Sequence, residues 1–211
     1  MPLEWIALRA PRASCLDAGG SVRRIAAKLA LGSAAPDYQL LNRASAVRRD
    51  DGSTGRVHSC GEWRDAGVHA RLGEALGELS PALRPGFEWY QCRGAFFHND
   101  AHYDGRMFGI WYVVGPAVDV VFPRVSARLP ITVGSIVIFD PFEVHGVLAP
   151  GRTAYAPDEY ERTEPSVFVG FELDLTPDVA QAFGVEPDAG GGEIISSRTR
   201  ICAASGAING S

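Results

Sequence analysis

The pattern of apolar and polar positions divides the chain into two parts. From Phe87 onward, short apolar segments follow one another and each ends at Gly, Pro or Asp, which is typical of strands joined by tight turns. These segments are FGIWYVV, DVVFP, LPITVGSIVIFD, VHGVL and SVFVGFELDL. Before Phe87 the spacing is mixed, and it predicts a few amphipathic helices that pack on the outside of a β core.

The first part is predicted to begin with a short strand over residues 4 to 9. The segment SVRRIAAKLALG predicts a helix, because its apolar residues recur at helical spacing, with Ser21 as the N-cap and Gly32 as the stop. The run YQLLNRASAVRR that follows predicts a strand.

A hairpin tip is predicted next, at Asp51-Gly52 and Gly55. A second helix is predicted over roughly residues 65 to 79, with Asp65 near its start and leucines along one side. Prolines then end the helical part of the chain.

The segment PITVGSIVIFDP predicts a turn followed by a central strand. Gly134 forms the turn, residues 136 to 139 are apolar on both faces and so buried on both, and Asp140-Pro141 ends the strand.

Three further segments follow His145. The polar, Pro-containing stretch 149 to 165 predicts a long loop of the kind that forms lids or binding loops. Thr176-Pro177 predicts the start of a short helix, with Pro at the first helical position. For the tail beyond Gly184 the sequence leaves two alternatives, packing over the core or mobility.

Length and composition are those of an ordinary globular protein. The chain has 211 residues, a formal net charge of −5 and 46% hydrophobic residues, which predicts a single domain over residues 1 to 211. Within it we distinguish an N-terminal part (1–86) with helices and supporting strands, a β core (87–175) and a C-terminal helix and tail (176–211).

The distribution of basic residues and the length of the apolar runs limit the classes of binding partner that we expect. Basic residues are scattered and no apolar run approaches a bilayer span, so we expect a small-molecule substrate, no nucleic acid and no membrane, while the oligomeric state stays open. The N-terminal segment lacks the features of a signal peptide, which predicts a cytoplasmic protein. The four cysteines form no C-x-x-C pair and are expected to be free thiols.

The candidate chemistry lies at His98-Asn99-Asp100 and at His145, which is 45 positions after Asp100. In an extended strand, His98 and Asp100 point to the same face. Two imidazole nitrogens and one carboxylate oxygen on one side of a metal leave its other side open, as is typical of non-haem Fe(II) oxygenases. A lone histidine beside an apolar strand is usually a core or surface residue, but the order of strands around these three residues favours a metal site.

A second H-x-D motif, His102-Tyr103-Asp104, follows four residues later. In a fully extended strand, both pairs would share a face, and only one pair can lie opposite His145. We prefer His98 and Asp100, because they follow an apolar run and leave enough chain for a turn before the next strand. His102 is then either a loop residue or a substrate contact at the mouth of the site.

The segments HND, GIWYVV, VVFPR, PITVGSIVIFD and VHGV, in that order, resemble the Fe(II)/2-oxoglutarate-dependent dioxygenase superfamily over roughly residues 87 to 175. The resemblance implies a mostly β (α+β) fold whose core is a double-stranded β-helix, also called a jelly roll or cupin-like barrel. It also implies that His98, Asp100 and His145 hold Fe(II), with 2-oxoglutarate and O2 as co-substrates. The expected reaction is hydroxylation of an unidentified small molecule or side chain.

The sequence departs from this family at the residue that holds the far carboxylate of 2-oxoglutarate. In the family a basic residue on a late strand does so, but SVFVGFELDL contains none. On chain order our first candidate is Arg152, with Arg124 as the alternative, and Tyr112 could supply a hydroxyl. Arg128 and Arg162 are further candidates.

Two other functions stay open. One is a cupin-like metalloenzyme on the same barrel that does not use 2-oxoglutarate, which the missing basic residue favours. The other is a non-catalytic binding module, which the full set of three metal-ligand residues disfavours.

Overall fold

The computed structural model describes residues 3–9, 13–48 and 54–208, and most of its regular structure is β. The strands are β1 (Glu4–Ala7), β2 (Ser14–Leu16), β3 (Val22–Arg24), β4 (Lys28–Ser33), β5 (His58–Trp63), β6 (Leu83–Cys92), β7 (Ala95–His98), β8 (Arg106–Val114), β9 (Val118–Phe122), β10 (Ala127–Ile131), β11 (Ser135–Phe139), β12 (His145–Leu148), β13 (Ser166–Asp174) and β14 (Ile194–Ile195). The helices are α1 (Tyr38–Val47), α2 (Ala66–Leu76) and α3 (Pro177–Phe183), with short 3-10 helices at Gly77–Ala82, Pro123–Val125 and Pro157–Glu159.

Two sheets form the core. The larger has the order β1-β4-β11-β8-β13-β6-β5, and the smaller has the order β10-β9-β12-β7. A third sheet, β14-β2-β3, joins the two ends of the described chain. The strand pairs of the two core sheets are antiparallel throughout.

The eight strands from β6 to β13 alternate between these sheets. Strands β6, β8, β11 and β13 belong to the larger sheet, and β7, β9, β10 and β12 belong to the smaller one. Only β9 and β10 follow each other within one sheet, as a hairpin. This winding of one chain between two facing sheets is the double-stranded β-helix, so the expected fold class, with flanking helices mainly near the N-terminus, is confirmed.

The predicted helix in SVRRIAAKLALG is wrong. Residues of this segment form β3 and most of β4, and β4 lies between β1 and β11 in the larger sheet. Leu29 packs into the barrel interior, whereas Ala30 packs into the core on the other side of the sheet. A strand that is buried on both faces carries apolar residues without alternation, and such a run is easily mistaken for one face of a helix.

The predicted strand in YQLLNRASAVRR is also wrong, because most of this run forms α1. The side chain of Asp37 caps the helix by accepting a hydrogen bond from the Leu40 backbone N–H. Leu40 and Ala44 are four residues apart and both are buried, so one face of the helix packs on the larger sheet. The hairpin tip expected at Asp51-Gly52 lies outside the described residues.

Four other local predictions are confirmed. The first strand is β1, and the second helix is α2, capped by Asp65, which accepts hydrogen bonds from two backbone N–H groups. Gly134 adopts a positive φ of 95° at the turn before β11. Helix α3 begins at Pro177.

The larger sheet separates two apolar cores. Alternate residues of its strands face the helices on one side, where Trp111 donates its indole N–H to the Ala34 carbonyl oxygen at 2.7 Å. The other residues face the barrel interior, where they meet those of the smaller sheet. The interior side of this sheet therefore forms one wall of any site inside the barrel.

The tail packs over the core, which settles the alternative that the sequence left open. Strand β14 pairs with β2, and Ile195 is buried. Further on, the Phe97 backbone N–H of β7 donates to the Ala203 carbonyl oxygen. The tail thus covers the edge of the smaller sheet at β7.

No disulfide joins the four cysteines, all of which lie in the described part of the chain. Among the helices described, none combines the length and the apolar character that crossing a bilayer requires.

Candidate metal site

His98 and Asp100 lie where β7 ends. His98 is the last residue of this strand, and residues 101–105 form a turn before β8. The backbone N–H of Asp100 donates to the Pro141 carbonyl oxygen at 2.8 Å. This bond ties the segment after β7 to the loop between β11 and β12.

His145 is the first residue of β12 and comes directly after that loop. It is the register partner of His98 in the antiparallel pair of β12 and β7. Its neighbour Gly146 lies against β7 so closely that a Cβ there would come within 2.9 Å of the Phe97 ring. The absence of a side chain at Gly146 therefore allows the two histidine-bearing strands to approach each other.

The three side chains converge. The Asp100 carboxylate oxygens lie 3.6 Å from His98 Nε2 and 3.4 Å from His145 Nε2, and all three ligand atoms are within 4.8 Å of one another. Two ligands at right angles, each about 2.1 Å from a metal ion, lie about 3 Å apart. The spacing thus fits one transition-metal ion with only small adjustments.

Backbone carbonyl groups orient both imidazole rings. His98 Nδ1 lies 2.7 Å from the Phe96 oxygen, and His145 Nδ1 lies 2.9 Å from the Glu143 oxygen. Because a carbonyl oxygen only accepts, Nδ1 carries the hydrogen in each ring and the lone pair of a neutral ring is on Nε2. Metal-bound histidines are held in this way in many proteins.

The electrostatic environment favours the protonation states that bind a metal. Burial and the neighbouring His145 lower the pKa of His98, which keeps its ring neutral. Burial alone would raise the pKa of Asp100, but its contacts with the neighbouring histidine rings outweigh burial and lower this pKa. A neutral imidazole and an ionised carboxylate are the forms that bind a metal ion.

The second H-x-D motif lies in the turn, so the four residues do not share one extended face. Asp104 accepts a hydrogen bond from the Ala18 backbone N–H at 3.1 Å, and it is not part of the group that converges with His145. His102 is an exposed residue of this turn and also lines the cavity described next, so both alternatives for it stay open.

A cavity of about 460 Å³ opens beside the three side chains. Its size is within the range of small-molecule sites. Besides His98, Asp100, His102 and His145, it is lined by Val57, Ser59, Glu88, Tyr90, Cys92, Tyr103, Phe108, Ile110, Tyr112, Val118, Val120, Ile131, Phe139, Val147 and Phe168. Among the described residues, neither an arginine nor a lysine belongs to this lining.

The polar part of the lining lies around Glu88. The Tyr90 hydroxyl donates to the Glu88 carboxylate at 2.5 Å and lies 2.6 Å from the Tyr103 hydroxyl, and the Ser59 hydroxyl donates to the other carboxylate oxygen. Burial raises the pKa of Tyr103 to about 12, so its hydroxyl stays protonated. These groups form a connected polar network in the cavity wall.

Sequence reasoning missed this network. Glu88 and Tyr90 are two residues apart on β6, and Cys92 continues the same face, so their alternation with Trp89 and Gln91 is a signal that could have placed them in the barrel. Ser59 on β5 has no comparable signal, since only the pairing of β5 with β6 brings it there.

The two arginines expected to hold the co-substrate do not line the cavity. Arg152 is largely exposed and pairs with Glu159 at 2.8 Å, and Arg124 pairs with Glu143 and Glu193. Among the further candidates, Arg128 pairs with Asp119 and Arg162 lies at a separate surface pocket.

Of the three residues expected at the co-substrate, the structure brings only Tyr112 to the cavity. Its hydroxyl donates to the Pro116 carbonyl oxygen at 2.5 Å and lies 2.6 Å from the Ser166 hydroxyl. The loop 149–165, expected as a lid or binding loop, contributes no residue to the lining.

Comparisons with known proteins found only distant structural similarity. No model of a protein family matches the chain, and no curated protein matches it. The chain is similar to an oxidoreductase of the 2OG-Fe(II) oxygenase family from Burkholderia pseudomallei, with 13% identity, a TM-score of 0.40, and coverage of 70% of this chain and 84% of that one. It is also similar to a cupin 2 domain-containing protein from Halorhodospira halophila, with 13% identity, a TM-score of 0.34, and coverage of 74% and 89%.

A prolyl-4-hydroxylase from Pseudomonas putida is a third similar structure, with 10% identity, a TM-score of 0.33, and coverage of 82% of this chain and 92% of that one. All three TM-scores are below 0.5. The fold therefore rests on the strand order of this chain, and its function rests on the site.

Proposed function

We propose that this protein is a mononuclear non-haem Fe(II) oxygenase, with His98, Asp100 and His145 as the metal ligands. The observation that carries the proposal is the convergence of two Nε2 atoms and one carboxylate at the mouth of a barrel, with both rings fixed by backbone carbonyl groups. Two imidazoles and one carboxylate with open positions are the ligands of non-haem Fe(II) oxygenases. Iron bound there would supply the activation of dioxygen.

The residues of the chain have three tasks in this proposal. His98 and His145 present neutral nitrogens, and Asp100 reduces the charge of the bound ion. Phe139 packs against the His145 ring at 4.6 Å between centroids and shields it from water. The cavity holds a substrate beside the open side of the metal and excludes bulk solvent from it.

Metal binding tests the proposal directly. The protein, prepared without metal and titrated with Fe(II) under anaerobic conditions, is expected to bind one ion per chain. Asp100→Ala should weaken this binding by more than about 100-fold, because even the outer partners of metal ligands contribute about 10- to 100-fold. Asp104→Ala is the matched control, since it removes a carboxylate from the second H-x-D motif and should leave the affinity unchanged. Equal affinities for the two variants would contradict the assignment.

The finer proposal concerns the co-substrate. The resemblance of the sequence to the 2-oxoglutarate-dependent family and the metal-ligand set support a 2-oxo acid, whose keto and carboxylate oxygens would bind the ion, and 2-oxoglutarate is the first member of this class to test. The test is the formation of succinate by the Fe(II)-loaded protein in air. A hydroxylated substrate would identify the rest of the reaction.

A second candidate is an Fe(II) enzyme on the same barrel that does not use 2-oxoglutarate. The observation in its favour is the lining of the cavity, where the described residues provide no cation for the far carboxylate. Oxygen consumption without succinate would support this candidate, and it would leave the proposed metal ligands intact.

A further inference from the structure

The part of the cavity that lies deeper in the barrel than the metal ligands is apolar. Along β8, Phe108 lies near Tyr103 and Phe139 at the level of the metal ligands, with ring centroids 4.9 and 5.8 Å from theirs. Tyr112 is four residues further along the same strand, which is about 13 Å deeper. We name this part the inner chamber and define it by its lining: Cys92, Ile110, Tyr112, Val118, Val120, Ile131, Val147 and Phe168.

The two polar side chains of the inner chamber carry no charge. Burial raises the pKa of the Cys92 thiol to about 12, so the thiol stays protonated. Burial also raises the pKa of Tyr112, and the hydrogen of its hydroxyl is already donated to Pro116. The two carboxylates and the histidines of the cavity lie outside the chamber, at the metal and in the network around Glu88.

A second carboxylate would be poorly stabilised in such a chamber. Transfer of an ionised carboxylate into apolar surroundings is strongly unfavourable unless a cation or several hydrogen bonds compensate for it. The two arginines preferred for this task are paired elsewhere, Arg124 with Glu143 and Arg152 with Glu159. Burial of an apolar group in the same place is favourable.

We propose that the inner chamber binds an uncharged, apolar tail, so that the ligand beside the metal is a 2-oxo acid with an apolar side chain and not 2-oxoglutarate. The keto and carboxylate oxygens of this acid would face the metal, and its tail would extend between β8 and β9 toward Val118 and Ile131. The inference rests on the proposed Fe(II) function and gives it a co-substrate class.

Two ligands of nearly equal shape test this inference. In 5-methyl-2-oxohexanoate, an isopropyl group replaces the far carboxylate of 2-oxoglutarate, while the metal-binding end is identical. The binding of each acid to the anaerobic Fe(II)-loaded protein can be followed by the visible charge-transfer absorption of the Fe(II) chelate and by calorimetry. We expect the isopropyl compound to bind at least about tenfold more tightly than 2-oxoglutarate. Its tail buries apolar surface in the chamber and brings no uncompensated charge there.

A designed cation provides an independent test. Val118 lies at the deep end of the chamber, where it pairs across the strands with Ile131, so Val118→Lys places an ammonium group beside the tail. This variant should lose the preference for the isopropyl compound and bind 2-oxoglutarate at least about tenfold more tightly than the unmodified protein does. Val133→Lys is the matched control, because Val133 is 49% exposed and lies outside the cavity, and it should keep the original preference.

The outcomes separate this inference from the proposed function. A protein that takes up no Fe(II) overturns the proposed function. A protein that takes up Fe(II) but binds 2-oxoglutarate as tightly as the isopropyl compound, or binds neither acid, overturns the inference and leaves the metal site standing. If Val118→Lys still binds Fe(II) but keeps the original preference for the isopropyl compound, the inner chamber is not the site of the tail.

Discussion

Arg23 and Asp140 form a two-pronged ion pair between residues that are 117 positions apart in the chain. The guanidinium of Arg23 on β3 donates to both carboxylate oxygens of Asp140, at 2.6 and 3.2 Å. Asp140 is 1% exposed, and it also accepts hydrogen bonds from the Ala26 and Phe142 backbone N–H groups. It begins the loop whose next residue, Pro141, binds the Asp100 backbone. The ion pair thus anchors the loop that leads to His145.

The substitution Asp140→Ala should lower the free energy of unfolding by about 3–5 kcal/mol, since it leaves a buried guanidinium without its partner. Urea denaturation measures this change. Glu159→Ala is the control, because it removes the exposed partner of Arg152, where ion pairs contribute about 0–1 kcal/mol. If both variants unfold at the same urea concentration, the pair does not anchor the loop.

The close contact at Gly146 predicts a second effect on stability and metal binding. In Gly146→Ala the new methyl group would lie 2.9 Å from the Phe97 ring and 3.1 Å from the Ala95 carbonyl oxygen. We expect a loss of about 1–3 kcal/mol of stability, as for other overpacked sites, together with weaker Fe(II) binding because the adjacent His145 is displaced. Thermal denaturation and Fe(II) titration measure the two effects. Gly86→Ala is the control, since a Cβ at Gly86 meets nothing within 4 Å.

The cysteines should differ strongly in their reactivity. A side-chain hydrogen bond from Ser205 lowers the pKa of Cys202, whereas burial raises the pKa of Cys15 to about 12. Because the thiolate is the reactive form, iodoacetamide should modify Cys202 first and Cys15 and Cys92 last in the native protein. Peptide mass spectrometry at short reaction times follows the order, and Ser205→Ala should slow the reaction at Cys202. Early modification of Cys92 would mean that the barrel is more open than described.

The N-cap of α2 predicts that two substitutions of Asp65 differ in their effect on stability. Asp65 accepts hydrogen bonds from the Gly67 and Val68 backbone N–H groups, so Asp65→Ala should cost about 1 kcal/mol of stability. Asp65→Asn keeps an oxygen for the cap and removes only the exposed ion pair with Arg43, so it should cost a few tenths of a kcal/mol. Equal losses in urea denaturation would assign the effect to the ion pair instead.

The sequence predicts the short strands of the core and the candidate metal ligands well, because both depend on local signals, and the resemblance to a known family implies the β-helix that joins them. Each strand after Phe87 is short, apolar and ended by a turn residue, and the H-x-D motif follows such a strand directly. Their meeting with His145 then follows from the winding of the barrel.

The segment before α1 shows why other predictions fail. Val22, Ile25 and Leu29 fit a helical period, yet β4 exists because β1 and β11 offer it hydrogen-bonding partners on both sides. Such partners are remote in the chain and leave no local trace. Conversely, Asp37 before α1 is a cap signal that outweighs the strand-like composition of the helix.

The co-substrate residues could not be predicted for a different reason. Arg152 and Arg124 were candidates because they lie near His145 in the sequence. Whether an arginine points into a barrel, however, depends on the side of the strand that it occupies and on the carboxylates around it. Their carboxylate partners, Glu159, Glu143 and Glu193, lie on loops and in the tail, and no periodic pattern marks them.

The pairing of β2 with β14 also bears on the order in which the protein forms during synthesis. Ser14 pairs with Ile194, which is synthesised 180 positions later. The outer edge of β7, the strand that carries His98, is covered by Ala203, which is synthesised later still. The strands of the barrel can therefore pair before the residues that cover the edge beside His98 have been synthesised.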